Sequence, residues 1–263
     1  MPFRDGVGLL ERKTTILYGA SGHIGRAVAQ AFAREGARLF LTGRDLGRLE
    51  DLSRRITGSG GEAEVARVDA LDVGQVNEHL TRVADEAGAV DISFNMISLN
   101  DVQGRELTTM SVEEYLPAIE IAARTHFITA TAAARHMSAR GSGVIMAITA
   151  TPSRLALPLA GNFGTACGAI EGMMRTLAAE VGPKGVRVCW LRSAGSQESF
   201  ASAPSDAGGI ADAAYEEMLR SHTLLKRFPK LAEIGEVAAL IASDRASPMT
   251  GAAANVTCGQ IVD

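Results

Sequence analysis

The sequence predicts a doubly wound parallel α/β sheet of about seven strands, folded as one domain over residues 1–263. Short apolar runs alternate with longer amphipathic runs along the whole chain, without an internal repeat or a Pro/Gly-rich linker to divide it. The strands are apolar at nearly every position rather than at alternate ones, which belongs to a sheet covered by helices on both faces. The first strand runs straight into a glycine-rich turn and then a helical pattern.

The elements follow in order. Thr14–Tyr18 reads as a buried strand and His23–Arg34 as the helix after the turn. Arg38–Thr42 is the second strand and Asp45–Ile56 the second helix, with Asp45 suited to cap it. Glu64–Val68 and Asp91–Asn95 are strands three and four, with a helix near 73–87 between them. Ser111–Met137 is one long helix, with a kink expected near Pro117. Gly143–Thr149 is strand five, Gly164–Val181 an Ala- and Gly-rich helix, and Val186–Leu191 strand six. A helix near 233–242 and a strand near 253–257 complete the pattern. Residues 196–225 interrupt it with a polar, Ser- and Ala-rich insertion holding a short helix near 211–220, and we expect a lid over a substrate there.

Bulk properties narrow the function. A net charge of −4 and scattered Lys and Arg give no nucleic-acid surface and no polybasic membrane patch. The N-terminal MPFRDGVGLLERK carries charges where a signal peptide needs an apolar core. The most apolar long stretch, 117–137, is broken by Glu120, Arg124 and His126, so no membrane span is expected. Cys167, Cys189 and Cys258 are too few and too far apart for a disulfide framework or a zinc site, which fits a reducing, cytoplasmic setting.

Gly19-Ala20-Ser21-Gly22-His23-Ile24-Gly25 is a G-x-x-G-x-x-G turn in strand–turn–helix context. Gly19 permits the tight turn, Gly22 lets a pyrophosphate approach the backbone, and Gly25 packs helix against strand. Ser21, His23 and Ile24 complete the turn, and the helix start offers N–H groups and partial positive charge to phosphates. This is the pattern of a Rossmann dinucleotide site, with a glycine turn that serves packing alone as the competing reading. An NAD site offers Asp or Glu to the ribose roughly 20–25 residues past the first glycine. That position falls on Gly43, followed by Arg44, whose guanidinium suits a 2′-phosphate. The cofactor expected is therefore NADP rather than NAD.

On these residues the chain resembles the short-chain dehydrogenase/reductase family along nearly its whole length, although the family's commonest form has glycines at the positions of Gly19, His23 and Gly25. The resemblance implies that Asp69 in Val68-Asp69-Ala70 holds the adenine amino group. It also implies that Asn95, at the end of Asp91-Ile92-Ser93-Phe94-Asn95, belongs to the loop under the adenine ribose. The family continues there with N-A-G, where this chain has Met96-Ile97-Ser98.

The family's catalytic Asn, Ser, Tyr and Lys fall on Ala122, Ala150, Phe163 and Cys167. The family frame around them persists in Gly172, in Gly185-Val186-Arg187-Val188, in Leu240-Ile241-Ala242-Ser243-Asp244 and in Thr250-Gly251. Phe163 has no proton to give, and Cys167 cannot replace a permanent cation. Thr149, Thr151, Asn162, Arg192 and Ser196 are the polar groups left nearby, without forming a motif.

The resemblance implies an oxidoreductase that binds NADP(H) and a small-molecule substrate of unread identity. The alternative is a non-catalytic NADP(H)-binding sensor or partner subunit. It also implies a homotetramer or dimer paired through the long helix and the helix after strand five, whose Ala and Gly permit close approach.

Overall fold

A computed structural model describes residues 8–196, 198 and 213–262. Its seven-stranded sheet is parallel throughout, in the order β3-β2-β1-β4-β5-β6-β7. The strands are β1 (Thr14–Tyr18), β2 (Arg38–Gly43), β3 (Glu62–Arg67), β4 (Ile92–Asn95), β5 (Gly143–Ala150), β6 (Val186–Ser193) and β7 (Ala252–Val256). The helices are α1 (His23–Arg34), α2 (Leu46–Gly58), α3 (Val73–Ala87), α4 (Val112–Arg140), α5 (Phe163–Val181), α6 (Ala213–Ser221) and α7 (Leu231–Ala242).

Side-chain alternation along each strand feeds two cores, one on each face of the sheet. Leu17, Leu39, Leu41, Phe94 and Met146 pack with α1, α2 and α7. Ile16, Tyr18, Phe40, Ile145 and Trp190 pack with α3, α4 and α5. β1 is buried at all five positions, with Ile16, Leu17 and Tyr18 feeding the two cores.

Two elements differ from expectation. β3 begins at Glu62 rather than Glu64, because the ladder with β2 pairs Arg38 with Glu62 and Gly43 with Arg67. As an edge strand it is only half buried, so an apolar run does not mark its start. The long helix runs unbroken for 29 residues through Pro117. Its Ser111–Glu114 capping box anchors the first turn, and Pro117, its sixth residue, lies in the second. In the expected lid, residues 197 and 199–212 lie outside the described residues, and α6 stands where a short helix is expected.

None of the three cysteines is paired in a disulfide. No described helix is long and apolar enough to cross a membrane, and the described residues hold no cluster of His, Cys, Asp or Glu fit for a metal.

Two imidazoles are buried in the α3–α4 face. Neither ring nitrogen of His79 has a partner among the described residues, and neither does Nε2 of His126. His126 Nδ1 donates to the Ala122 carbonyl at 2.9 Å. Burial lowers both from the usual 6.5 to about 4, with Arg82 adding to the effect at His79 and the Ala122 bond opposing it at His126. The folded chain thus keeps them neutral where the unfolded chain protonates them. Stability is intact above pH 6.5 and is lost as the pH falls from 6.5 towards 4. Urea unfolding should show a lower midpoint at pH 5 than at pH 7, by roughly 1–3 kcal/mol per imidazole. His79→Leu should flatten that slope, and an unchanged slope would show that His79 does not contribute.

Candidate functional site

The strand order reverses between β1 and β4, and ligands in such sheets bind at the carboxyl ends of the strands beside that reversal. A cavity of about 880 Å³ lies there. The β1–α1 turn forms one wall, Arg44 and Asp69 lie on the β2–β3 side, and Ala150, Phe163 and Cys167 lie on its β5–α5 wall.

Backbone-on-backbone contact shapes the turn. Gly19 has φ +74°, and a Cβ there would come within 2.8 Å of the Met96 carbonyl oxygen. A Cβ on Gly25 would lie 2.4 Å from the Gly19 oxygen, so α1 packs directly on the turn. Gly22 is different: a Cβ would meet only the Gly19 oxygen, at 3.4 Å, and the residue lines the cavity. The packing of the chain itself therefore leaves room at Gly22 on the cavity side. No side chain caps α1, so its first N–H groups are left for a ligand. A dinucleotide's pyrophosphate fits this cradle.

Ser21, His23 and Ile24 line the same wall. Gly43 and the exposed Arg44 follow at the end of β2. Among the described residues Arg44 makes no ion pair, while its neighbour Arg48 pairs with Asp45 at 3.4 Å. Asp45 accepts from the Arg48 N–H and caps α2. Asp69 lines the cavity with Oδ1 accepting from the Leu71 N–H at 3.0 Å, which leaves Oδ2 for a ligand.

Asn95 departs from its expected place. It is buried and not on the cavity wall. Its Nδ2 donates to Thr129 Oγ1 at 3.1 Å, and its Oδ1 accepts from the Ile97 N–H at 3.0 Å. It thereby holds the 96–98 loop from beneath, and that loop meets the cavity through Met96, Ile97 and Ser98.

Ala150, Phe163 and Cys167 meet on one cavity wall. Ala122 is fully buried behind it on α4 and off the wall. Burial pushes the Cys167 thiol up to about 12; contact with the Ala150 backbone opposes this, and the charges of Asp101 and Glu171 add to it. At neutral pH it is a neutral, weakly polar group, neither a nucleophile nor a cation.

The polar groups that form no sequence motif are tied together by the fold. Glu171, one turn beyond Cys167, is buried with Arg192 of β6 in a bidentate pair, Nε to Oε1 at 2.9 Å and Nη2 to Oε2 at 2.8 Å. Thr149 and Ser153 also donate to Oε1, at 2.9 and 2.6 Å. Burial alone would raise this carboxyl, but the hydrogen bonds from Arg192 and Ser153 hold it below its ordinary range. Asn162 is a buried staple: Oδ1 accepts from the Val102 N–H, and Nδ2 donates to the Glu114 and Tyr115 carbonyls. Tyr18 also borders the cavity, with its buried hydroxyl unpaired among the described residues and its pKa raised by burial. In the sequence it reads as an ordinary core residue of β1.

A family model described as enoyl-(acyl carrier protein) reductase matches residues 19–260. The oxidoreductase UcpA of Salmonella typhimurium is 30% identical over 254 residues, covering 93% of each chain. L-rhamnose 1-dehydrogenase (NAD(P)(+)) of Azotobacter vinelandii is 28% identical over 260 residues, covering 97% of this chain and 99% of that one. Glycine betaine reductase ATRR of Emericella nidulans is 27% identical over 203 residues, and this chain matches only 16% of that protein's length. Among solved structures, a short-chain type dehydrogenase/reductase from Mycobacterium marinum superposes with a TM-score of 0.83 at 25% identity, covering 97% of both chains. A gluconate 5-dehydrogenase from Burkholderia cenocepacia, in complex with NADP and tartrate, shares the fold with a TM-score of 0.83 at 24% identity, covering 95% of this chain and 96% of that one. The chain belongs to the short-chain dehydrogenase/reductase family of oxidoreductases, whose members bind NAD(P).

Proposed function

We propose that the chain binds NADP(H) and works as a reductase whose reacting end lacks the family's proton donor, on a small molecule. The observation that carries this reading is the pairing of a cavity-facing glycine cradle and an unpaired Arg44 with Ala150, Phe163 and Cys167 on the catalytic wall. Gly19, Ser21, Gly22, His23, Ile24 and Gly25 hold the pyrophosphate, Arg44 the 2′-phosphate and Asp69 the adenine, while Asn95 braces the loop beside them. A reduced nicotinamide, when bound, supplies a hydride. Around it the chain's residues exclude water and shape the pocket, but Ala150 and Phe163 can donate no hydrogen bond. An ordinary ketone would leave an alkoxide that neither Ala150 nor Phe163 can protonate.

The second reading, a non-catalytic NADP(H)-binding sensor or partner subunit, rests on the same three residues. Three unpaired cysteines favour the reducing cytoplasm as the site of either activity. We also place the chain in a dimer or tetramer paired through α4 and α5, because α4 leaves Phe127 59% exposed and Leu116 41% exposed. Light scattering at micromolar concentration should give a dimer or tetramer mass, and a monomer mass would remove this assignment.

NADPH should bind more tightly than NADH, and Arg44→Ala should remove most of the difference. Losing one charge-assisted phosphate contact costs on the order of 1.5–3 kcal/mol, about tenfold or more in affinity. Calorimetric titration decides it, and equal wild-type affinities would refute the preference.

Carbonyl reduction should be near background. General acid catalysis supplies about 10²–10⁴-fold and an oxyanion donor roughly 10²–10³-fold, and both are missing from this wall. NADPH consumption on a panel of ketones and acyl thioesters should be undetectable in the wild type. The combined change Ala122→Asn, Ala150→Ser, Phe163→Tyr and Cys167→Lys should create measurable turnover. A wild-type rate near about 1 per second, typical of working enzymes, would show that another group gives the proton.

A further inference from the structure

The charged wall residues of the cavity are balanced at one end and not at the other. Arg44 and Arg48, its cationic wall residues, both follow β2, at the glycine-turn end, where Asp45 and Asp69 offset them. At the β5–α5 end the wall combines apolar Leu157, Phe163 and Cys167 with the neutral hydroxyls of Thr149 and Thr151, and it carries the carboxylate of Asp101. Asp101 is half-buried, and its Oδ2 accepts from Gln103 Nε2 at 2.6 Å. Among the described residues no cation pairs with it: Arg105, four residues on, is held by Glu114. Asp101 also stands near enough to Cys167 for its charge to bear on the thiol. The other carboxylate that bears on Cys167, Glu171, is already matched by Arg192.

A partly buried carboxylate with no positive partner, on a cavity wall that also carries an aromatic ring, is stabilised by a cation that enters. The ring itself attracts cations to its face. The wall has also exchanged a hydroxyl, a phenol and a permanent cation for a methyl, a phenyl and a neutral thiol, which leaves Asp101 as the dominant charge at that end.

We infer that the Phe163–Asp101 end of the cavity binds an organic cation, the substrate class being one that carries a C=N⁺ group. Asp101 is its counter-ion and Phe163 the face that receives it. This rests on the proposed reading that the other end of the cavity holds NADP(H). It also accounts for the missing acid. Hydride added to the carbon of C=N⁺ supplies two electrons and one hydrogen, the C=N π pair moves to nitrogen, and a neutral amine results. The hydride donor is the reduced nicotinamide, left oxidised, and no proton is required from the protein.

The test is a binding measurement, independent of turnover. The full chain is titrated calorimetrically at pH 8 with 2-methylisoquinolinium, a permanent cation, and with isoquinoline, its neutral isostere at that pH. The cation should bind roughly tenfold or more tightly than the neutral ring. Asp101→Asn keeps an oxygen for Gln103 and should abolish most of that preference. Phe163→Leu should reduce it several-fold. Equal binding of the two rings by the wild type, binding of neither, or a preference that survives Asp101→Asn would overturn the inference. NADPH is titrated into the same samples. Its affinity should be unchanged by Asp101→Asn, and failure of NADPH to bind the wild type would count against the proposed function and not against the cation site.

Discussion

The site depends on a contact between two stretches of backbone. β1 lies between β2 and β4, pairing Tyr18 with Thr42 on one side and with Asn95 on the other. The chain leaving β1 must then turn within van der Waals distance of the chain leaving β4. Only a residue without a Cβ fits at Gly19, where the Met96 oxygen stands 2.8 Å from the position a Cβ would take. The same constraint acts at Gly25, which brings α1 down onto the turn. Once these two glycines are satisfied, the start of α1, the 96–98 loop and the ends of β2 and β3 converge on one cavity. The tightness of this junction explains why Asn95 is bonded at both ends of its amide: it fixes the loop that Gly19 packs against.

The reacting wall is built on a second constraint. A bidentate ion pair buried between α5 and β6 fixes the helix that carries Phe163 and Cys167 against the strands that carry Thr149 and Arg192. Such a pair adds little net stability over an apolar substitute, but removing one partner leaves a buried charge and is costly. Its value here is geometric, since it holds the helix start and the end of β5 in register. This pair and the Asn162 staple brace the wall that carries Ala150, Phe163 and Cys167. On the proposed reading that wall has changed its chemistry within a kept frame, and the Asp101 carboxylate is the sign of a changed substrate class.

The fold was legible because its signals are local and strong. β1 and β4 are buried along their whole length, and the glycine turn follows a strand and opens a helix, so sequence pattern and structure coincide there. The start of β3 was not legible, because an edge strand is defined by its ladder to β2 rather than by apolar content. In the site, Ala150, Phe163 and Cys167 could be placed by position along β5 and α5, and all three do meet on the cavity wall. Ala122 and Asn95 could not be told from wall residues, because burial depends on which face of α4 and of β4 meets the core. The Glu171–Arg192 pair and Asp101 carry no sequence signal at all. Two charged residues some 20 positions apart become partners only when α5 packs against β6, and a loop aspartate gains meaning only from the cavity wall it joins.

We propose that a nicotinamide dinucleotide occupies this cavity with its reactive end beside Ala150 and Phe163, which give no proton. A crystal structure of the chain with NADP⁺ bound tests it most directly. The account predicts the pyrophosphate on the N–H groups of the Gly19–Gly25 turn, the 2′-phosphate at Arg44, and the nicotinamide over Ala150 and Phe163, without a hydroxyl, phenol or ammonium group of the chain at its reactive face. A cofactor bound elsewhere, a 2′-phosphate that ignores Arg44, or a side chain from another segment delivering a proton donor to the nicotinamide would contradict it.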